Sequence, residues 1–183
     1  KAALKGAGLA GFMKGTATRQ IMKQMEGMAR NFICGIDGSD ALKTLRSLRK
    51  QHQAFTVDLL GEATTAEHEA ELYVQRYRSL IETLADQCAQ WRELSQLDTD
   101  DQGSLPRVNV SIKVSAMYSQ LDPLAFEESV EAAAQRLIPL FELAASRGVF
   151  LNLDMEHYAF KSLTYALFKR VLEEPSLANY EHA

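Results

Sequence analysis

Three charged residues stand where they could work together: Lys113, Asp58 and Asp154. Lys113 lies in Val108–Tyr118, VNVSIKVSAMY, which alternates apolar and polar residues. In a strand, Val108, Val110, Ile112 and Val114 share one face, and Asn109, Ser111, Lys113 and Ser115 the other. Asp58 holds a similar place in Ala54–Gly61, AFTVDLLG, opposite Phe55, Val57 and Leu59. Asp154 does so in Val149–Glu156, VFLNLDME, where Asn152, Asp154 and Glu156 lie opposite Val149, Leu151 and Leu153. A lysine enclosed by protein needs an anionic partner. Such a group suits a small zwitterion, because Lys113 can make a charge-assisted hydrogen bond to a carboxylate in a water-poor pocket. Asp154 can hold an ammonium, tune a cofactor or pair with Lys113. The competing reading makes each charge a separately satisfied structural group.

Helical patterns separate these strands. Thr16–Phe32 carries Ile21, Met25, Met28 and Phe32 at helical spacing, a stripe expected to pack in a core. Gly35-Ile-Asp-Gly38 breaks it. Ser39 or Asp40 then caps a helix with Leu42, Leu45 and Leu48 on its apolar face. Arg46, Arg49 and Lys50 at its end read as a solvated helix terminus. After the first strand, Thr64 or Thr65 caps a helix to about Trp91 with the stripe Tyr73, Tyr77, Leu80, Ile81, Leu84 and Cys88. His68-Glu69 on it reads as surface. Asp98–Ser104 reads as a polar loop. Asp122-Pro123 opens a helix to Arg147 that Pro139 can kink and Gly148 ends. A last helix covers Phe160–Glu174.

Composition bounds the function. The 183 residues are 46% hydrophobic and 24% charged, with a net charge of −4. This is the profile of a globular protein with a sizeable core. Nothing in it favours nucleic acid as a partner. Cys34 and Cys88 are far apart and read as reduced thiols. No metal-ligand spacing, membrane span or signal peptide is evident. Gly6-Ala-Gly8-Leu-Ala-Gly11 matches GxGxxG, but no strand precedes it, so it reads as a small-residue lead-in. Residue 1 is Lys, so the sequence is expected to begin inside a longer natural chain.

The element order ααβαβαβα calls for a parallel sheet with right-handed crossovers. In a doubly wound sheet both faces pack on helices, and Asp58, Lys113 and Asp154 would be hard to satisfy. In a (β/α)8 TIM-type barrel the polar face points inward and strand C-termini line the site. The expected class is therefore α/β, a (β/α)8 barrel of which this chain, after its N-terminal helices, supplies three βα units.

Three motifs carry a family resemblance. Phe55–Ala63, Val110–Ala116 and Leu151–Glu156 resemble, in order and spacing, the first three barrel strands of proline dehydrogenase. The resemblance extends to the proline dehydrogenase domain of the bifunctional proline utilisation A enzymes. Asn31–Gly38 and Leu42–Lys50 resemble the helical approach to that barrel. The resemblance divides the chain into an N-terminal helical segment, 1–53, and the first part of the barrel, 54–183. It implies FAD-dependent oxidation of L-proline to pyrroline-5-carboxylate, with electrons passed to membrane quinones. It further implies a pyrroline-5-carboxylate dehydrogenase domain elsewhere in the full chain, and a cytoplasmic location, peripheral to the inner membrane face. Lys113 then holds the substrate carboxylate, Asp154 and Asp58 belong to the active site, and Met155 touches FAD.

The family's later arginine motifs are absent from these residues, so the chain by itself is expected neither to hold FAD nor to oxidise proline. Two alternatives stand beside this reading. One is a barrel lyase or aldolase with a Schiff base on Lys113, which needs a depressed lysine pKa. The other is a non-catalytic helical interaction domain.

Overall fold

The computed structural model describes residues 18–25, 27–29, 33–61 and 64–183. The glycine pattern Gly6–Gly11, Asn31-Phe32 and Glu62-Ala63 lie outside them. Residues 18–25 and 27–29 are helical. Their stripe is not core, however: Ile21, Met25 and Met28 stand at the surface. Periodicity marks an apolar face without saying what covers it.

The helix α1, Gly38–Lys50, begins two to three residues before the position a Ser39 or Asp40 cap would set. Asp37 is its N-cap, and its carboxylate accepts a 2.8 Å hydrogen bond from the Asp40 amide. Ala41 and Leu45 bury its inner face. Gly35 packs on this first turn so closely that a Cβ there would lie 2.4 Å from the Ala41 nitrogen.

Arg49 departs from the expected solvated helix end. It is buried, and its guanidinium donates to both Asp98 carboxylate oxygens, at 2.8 and 2.5 Å, and to the Arg92 carbonyl at 2.7 Å. Arg107 adds an ion pair to Asp98 at 3.2 Å. Asp98, placed by sequence in a polar loop, is only 4% exposed and closes a helical turn, Ser95–Asp98. Charge pattern along the chain misses this because the partners are 49 residues apart.

Three strands form one sheet: β1 (Val57–Asp58), β2 (Asn109–Lys113) and β3 (Phe150–Asp154). All pairs are parallel and the order is β1-β2-β3. Asp58 lies opposite Ser111, and Lys113 opposite Asp154. Each strand is shorter than its alternating pattern. β2 stops at Lys113 because Val114–Ala116 turns into a 3₁₀ helix.

The helices α2 (Glu67–Cys88), α3 (Phe126–Arg147) and α4 (Lys161–Leu172) follow β1, β2 and β3. Val57, Val110, Ile112 and Leu151 from the strands join Tyr77, Ile81, Leu84, Leu137, Phe141 and Leu167 in one buried cluster. Alternation therefore does what the sequence requires, sending apolar side chains to the helices and polar ones to the other face.

Local signals fix the helix ends. Neither Thr64 nor Thr65 is the N-cap of α2; Ala66 is. The Glu69 carboxylate substitutes for a cap side chain, accepting from the Thr65 and Ala66 amides at 2.9 and 3.2 Å. Asp122 caps a 3₁₀ turn, Pro123–Ala125, that leads into α3. α3 stays helical through Pro139 and ends at Gly148, whose φ of +61° suits a residue without Cβ. The chain then returns to the outer edge of β3, where the Leu151 amide donates to the His182 carbonyl at 3.0 Å.

Candidate active site at the C-terminal ends of the strands

The site is built on Lys113. Its Nζ donates to the Asp58 carboxylate at 2.8 Å and to the Asp154 carboxylate at 2.9 Å. The three residues come from three adjacent strands and meet on the polar face of the sheet. Lys113's side chain is 13% exposed, and each aspartate's is 37% exposed. The cation is thus enclosed while the carboxylates still reach solvent.

Burial works against the charged lysine, but the hydrogen bonds and charges of Asp58 and Asp154 outweigh it and hold its pKa above the ordinary 10.5. Lys113 stays an ammonium at any physiological pH. An ammonium has three donors, and the two aspartates take two of them. One positive and two negative charges leave the cluster net negative. It can therefore offer a donor to a carboxylate and an acceptor surface to an ammonium, the two ends of an amino acid. Pairing with Lys113 is thus among the three roles that the sequence left open for Asp154.

Met155 follows Asp154 at the end of β3 and is 48% exposed. Its apolar side chain therefore stands at the surface, just past the last residue of β3.

Polar residues of the same strand faces pair with one another before and beyond the cluster. Asn152 donates to Asn109 at 2.8 Å and accepts from Ser111 at 2.8 Å. Ser115 is buried and its hydroxyl donates to the Glu156 carboxylate at 2.6 Å. The Ser115 carbonyl in turn accepts from both the amide and the hydroxyl of Thr64, at 3.3 and 3.2 Å. Ser115 thereby ties the loop after β1 to the end of β3. Alternation predicts the face of each residue, but register decides which residues meet, and no motif encodes the register.

Around the rim, Glu67 at the start of α2 accepts from the Ser119 amide at 3.1 Å and pairs with Arg136 of α3. Among the described residues no group of three His, Cys, Asp or Glu is placed to hold a metal. None of the described helices is long and apolar enough to cross a membrane.

An α/β chain with a parallel sheet and a charged cluster at its strand C-termini is the class of protein that fold and site define. The family model described as Proline dehydrogenase matches residues 41–183, and the chain belongs to that family. It is similar to a crystal structure of proline utilization A (PutA) from Bdellovibrio bacteriovorus, inactivated by N-propargylglycine. The two share 43% sequence identity with a TM-score of 0.88, over 92% of this chain and 18% of that one. A crystal structure of a proline utilization A mutant from Bradyrhizobium japonicum shares the fold, with a TM-score of 0.59 and 22% identity over 70% of this chain and 12% of that one.

Among curated proteins, the bifunctional protein PutA of Klebsiella aerogenes is 24% identical over 153 residues, 84% of this chain. Proline dehydrogenase 1 of Bacillus subtilis subsp. natto is 25% identical over 146 residues, 80% of this chain. The chain spans 11% of the length of the first and 40% of the second.

Proposed function

We propose that this chain supplies the first three βα units of a (β/α)8 barrel that oxidises L-proline to pyrroline-5-carboxylate with FAD. The observation that carries the reading is the Lys113 ammonium held between Asp58 and Asp154 at the strand C-termini, where barrel enzymes keep their sites. Family membership supports the reaction class.

Lys113 directs its remaining donor to the proline carboxylate, and its two aspartates keep it charged and aimed. The exposed sides of Asp58 and Asp154 draw the ammonium end of the incoming zwitterion. The residues present fit a flavin: Met155, half-exposed just past the end of β3, offers an apolar contact, and the solvent-reaching carboxylates of Asp58 and Asp154 offer acceptors to its polar edge. When bound, FAD supplies the acceptor for a hydride from the carbon beside the proline nitrogen. Electrons then pass to a membrane quinone, and a pyrroline-5-carboxylate dehydrogenase domain in the full chain takes the product, at the cytoplasmic side of the membrane. The Schiff-base alternative loses support, because a lysine whose pKa is raised is a poor nucleophile.

Anaerobic mixing of the flavin-loaded, full natural protein with L-proline tests the reading. The expected result is bleaching of the flavin band. A band that persists under saturating proline overturns it.

A further inference from the structure

β1 contains only Val57 and Asp58, whereas β2 runs on to Lys113. Backbone groups of alternate residues along a strand point to opposite neighbours. The Val108 carbonyl accepts from the Phe150 amide, so Val108, Val110 and Ile112 direct their backbone toward β3. Asn109, Ser111 and Lys113 direct theirs toward β1. At the level of Lys113, β1 has already ended. The amide of the central residue of the site would be left without a partner, a costly state inside a protein.

The partner it finds is a side chain. Tyr77 of α2 is fully buried, and its hydroxyl oxygen accepts the Lys113 amide hydrogen at 3.1 Å. The aromatic ring belongs to the helix–sheet core, while the oxygen takes the amide hydrogen bond that a longer β1 would have made. From the same residue, the side chain leaves toward Asp58 and Asp154 on the opposite face.

We propose that Tyr77 is a positioning residue for Lys113: its hydroxyl replaces the missing strand and fixes the backbone from which the carboxylate-binding ammonium is presented. This rests on Lys113 binding the substrate carboxylate, the reading given above. Tyr77 reaches the substrate through Lys113 alone, so its effect is confined to ligands that carry a carboxylate.

The test uses the flavin-loaded, full natural protein and two probes, a non-oxidisable cyclic carboxylic acid and pyrrolidine, which lacks the carboxylate. Tyr77→Phe removes one oxygen and keeps the ring. It should weaken the acid by about tenfold, the scale of one lost buried hydrogen bond, and leave pyrrolidine unchanged. In a Lys113→Ala background, Tyr77→Phe should cause no further loss of acid affinity. Equal weakening of both probes, or additive losses in the double variant, would show a merely structural tyrosine and overturn the proposal. If Lys113→Ala leaves acid affinity intact, the carboxylate reading itself fails and the proposal with it. If Lys113→Ala weakens the acid and Tyr77→Phe does not, only the positioning role fails. Hydrogen exchange in the unmutated protein gives a check that needs no variant: the Lys113 amide should be protected, and rapid exchange there overturns the proposal.

Discussion

Lys113 and its aspartates form a charged unit whose parts set one another's state. Replacing Asp154 with Asn removes one charge and weakens one hydrogen bond to the ammonium. The pKa of Lys113 should then fall back toward 10.5, read by following its Cε resonance through an alkaline titration. An unchanged midpoint would mean that Asp154 is not an electrostatic partner. The sign for stability follows: a lysine with a raised folded pKa contributes fully below 10.5 and loses that contribution as pH climbs through the folded value.

Asp98 behaves in the opposite sense. Its hydrogen bond from Arg49, chiefly, holds its carboxyl below the ordinary 3.8. Its contribution is complete above that pH and is lost as pH falls through the lower folded value. Asp98→Ala would leave Arg49 and Arg107 without their carboxylate. The expected cost is about 3–5 kcal/mol, typical of a broken buried pair, measured by denaturant unfolding. A cost under about 1 kcal/mol, the value of an exposed pair, would contradict the buried role.

At the scale of elements, two glycines carry conformational demands. Gly148 ends α3 at a φ of +61°, so Gly148→Ala should cost about 1–2 kcal/mol. Gly35→Ala places a methyl against the backbone of α1 and should cost about 1–3 kcal/mol as overpacking. Shifts of the denaturant midpoint report both.

The same elements show what the sequence could reveal. Alternation around Asp58, Lys113 and Asp154 was enough to place all three on one face, because period-2 patterning and strand order are local properties. The stripe of α2 predicted the burial of Tyr77, Ile81 and Leu84 for the same reason. The hydroxyl of Tyr77 was legible only as a question, since a tyrosine in a fully buried stripe needs a polar partner, and nothing local names Lys113. The Arg49–Asp98 pair and the Ser115–Glu156 bond depend on residues 49 and 41 positions apart brought together by packing. Strand ends were overestimated because alternation continues past Lys113 while the backbone turns into a 3₁₀ helix.

At the scale of the whole molecule, the three-stranded sheet has two edges. Residues near His182 lie along β3, while β1 presents only two paired residues. Ile36, Leu60 and Leu124 are largely exposed. Open edges and exposed apolar residues favour association. Produced by itself, the 183-residue chain should elute from a sizing column as self-associated material without a flavin band. A yellow monomer that reduces a dye with proline would contradict this.

The central claim is that Lys113 binds the carboxylate of proline. It is tested most directly by the affinity of the flavin-loaded, full natural protein for proline before and after Lys113→Ala. The account predicts a loss of about 1.5–3 kcal/mol, the contribution of a charged hydrogen bond, with flavin content unchanged. Proline affinity that survives the substitution would contradict it.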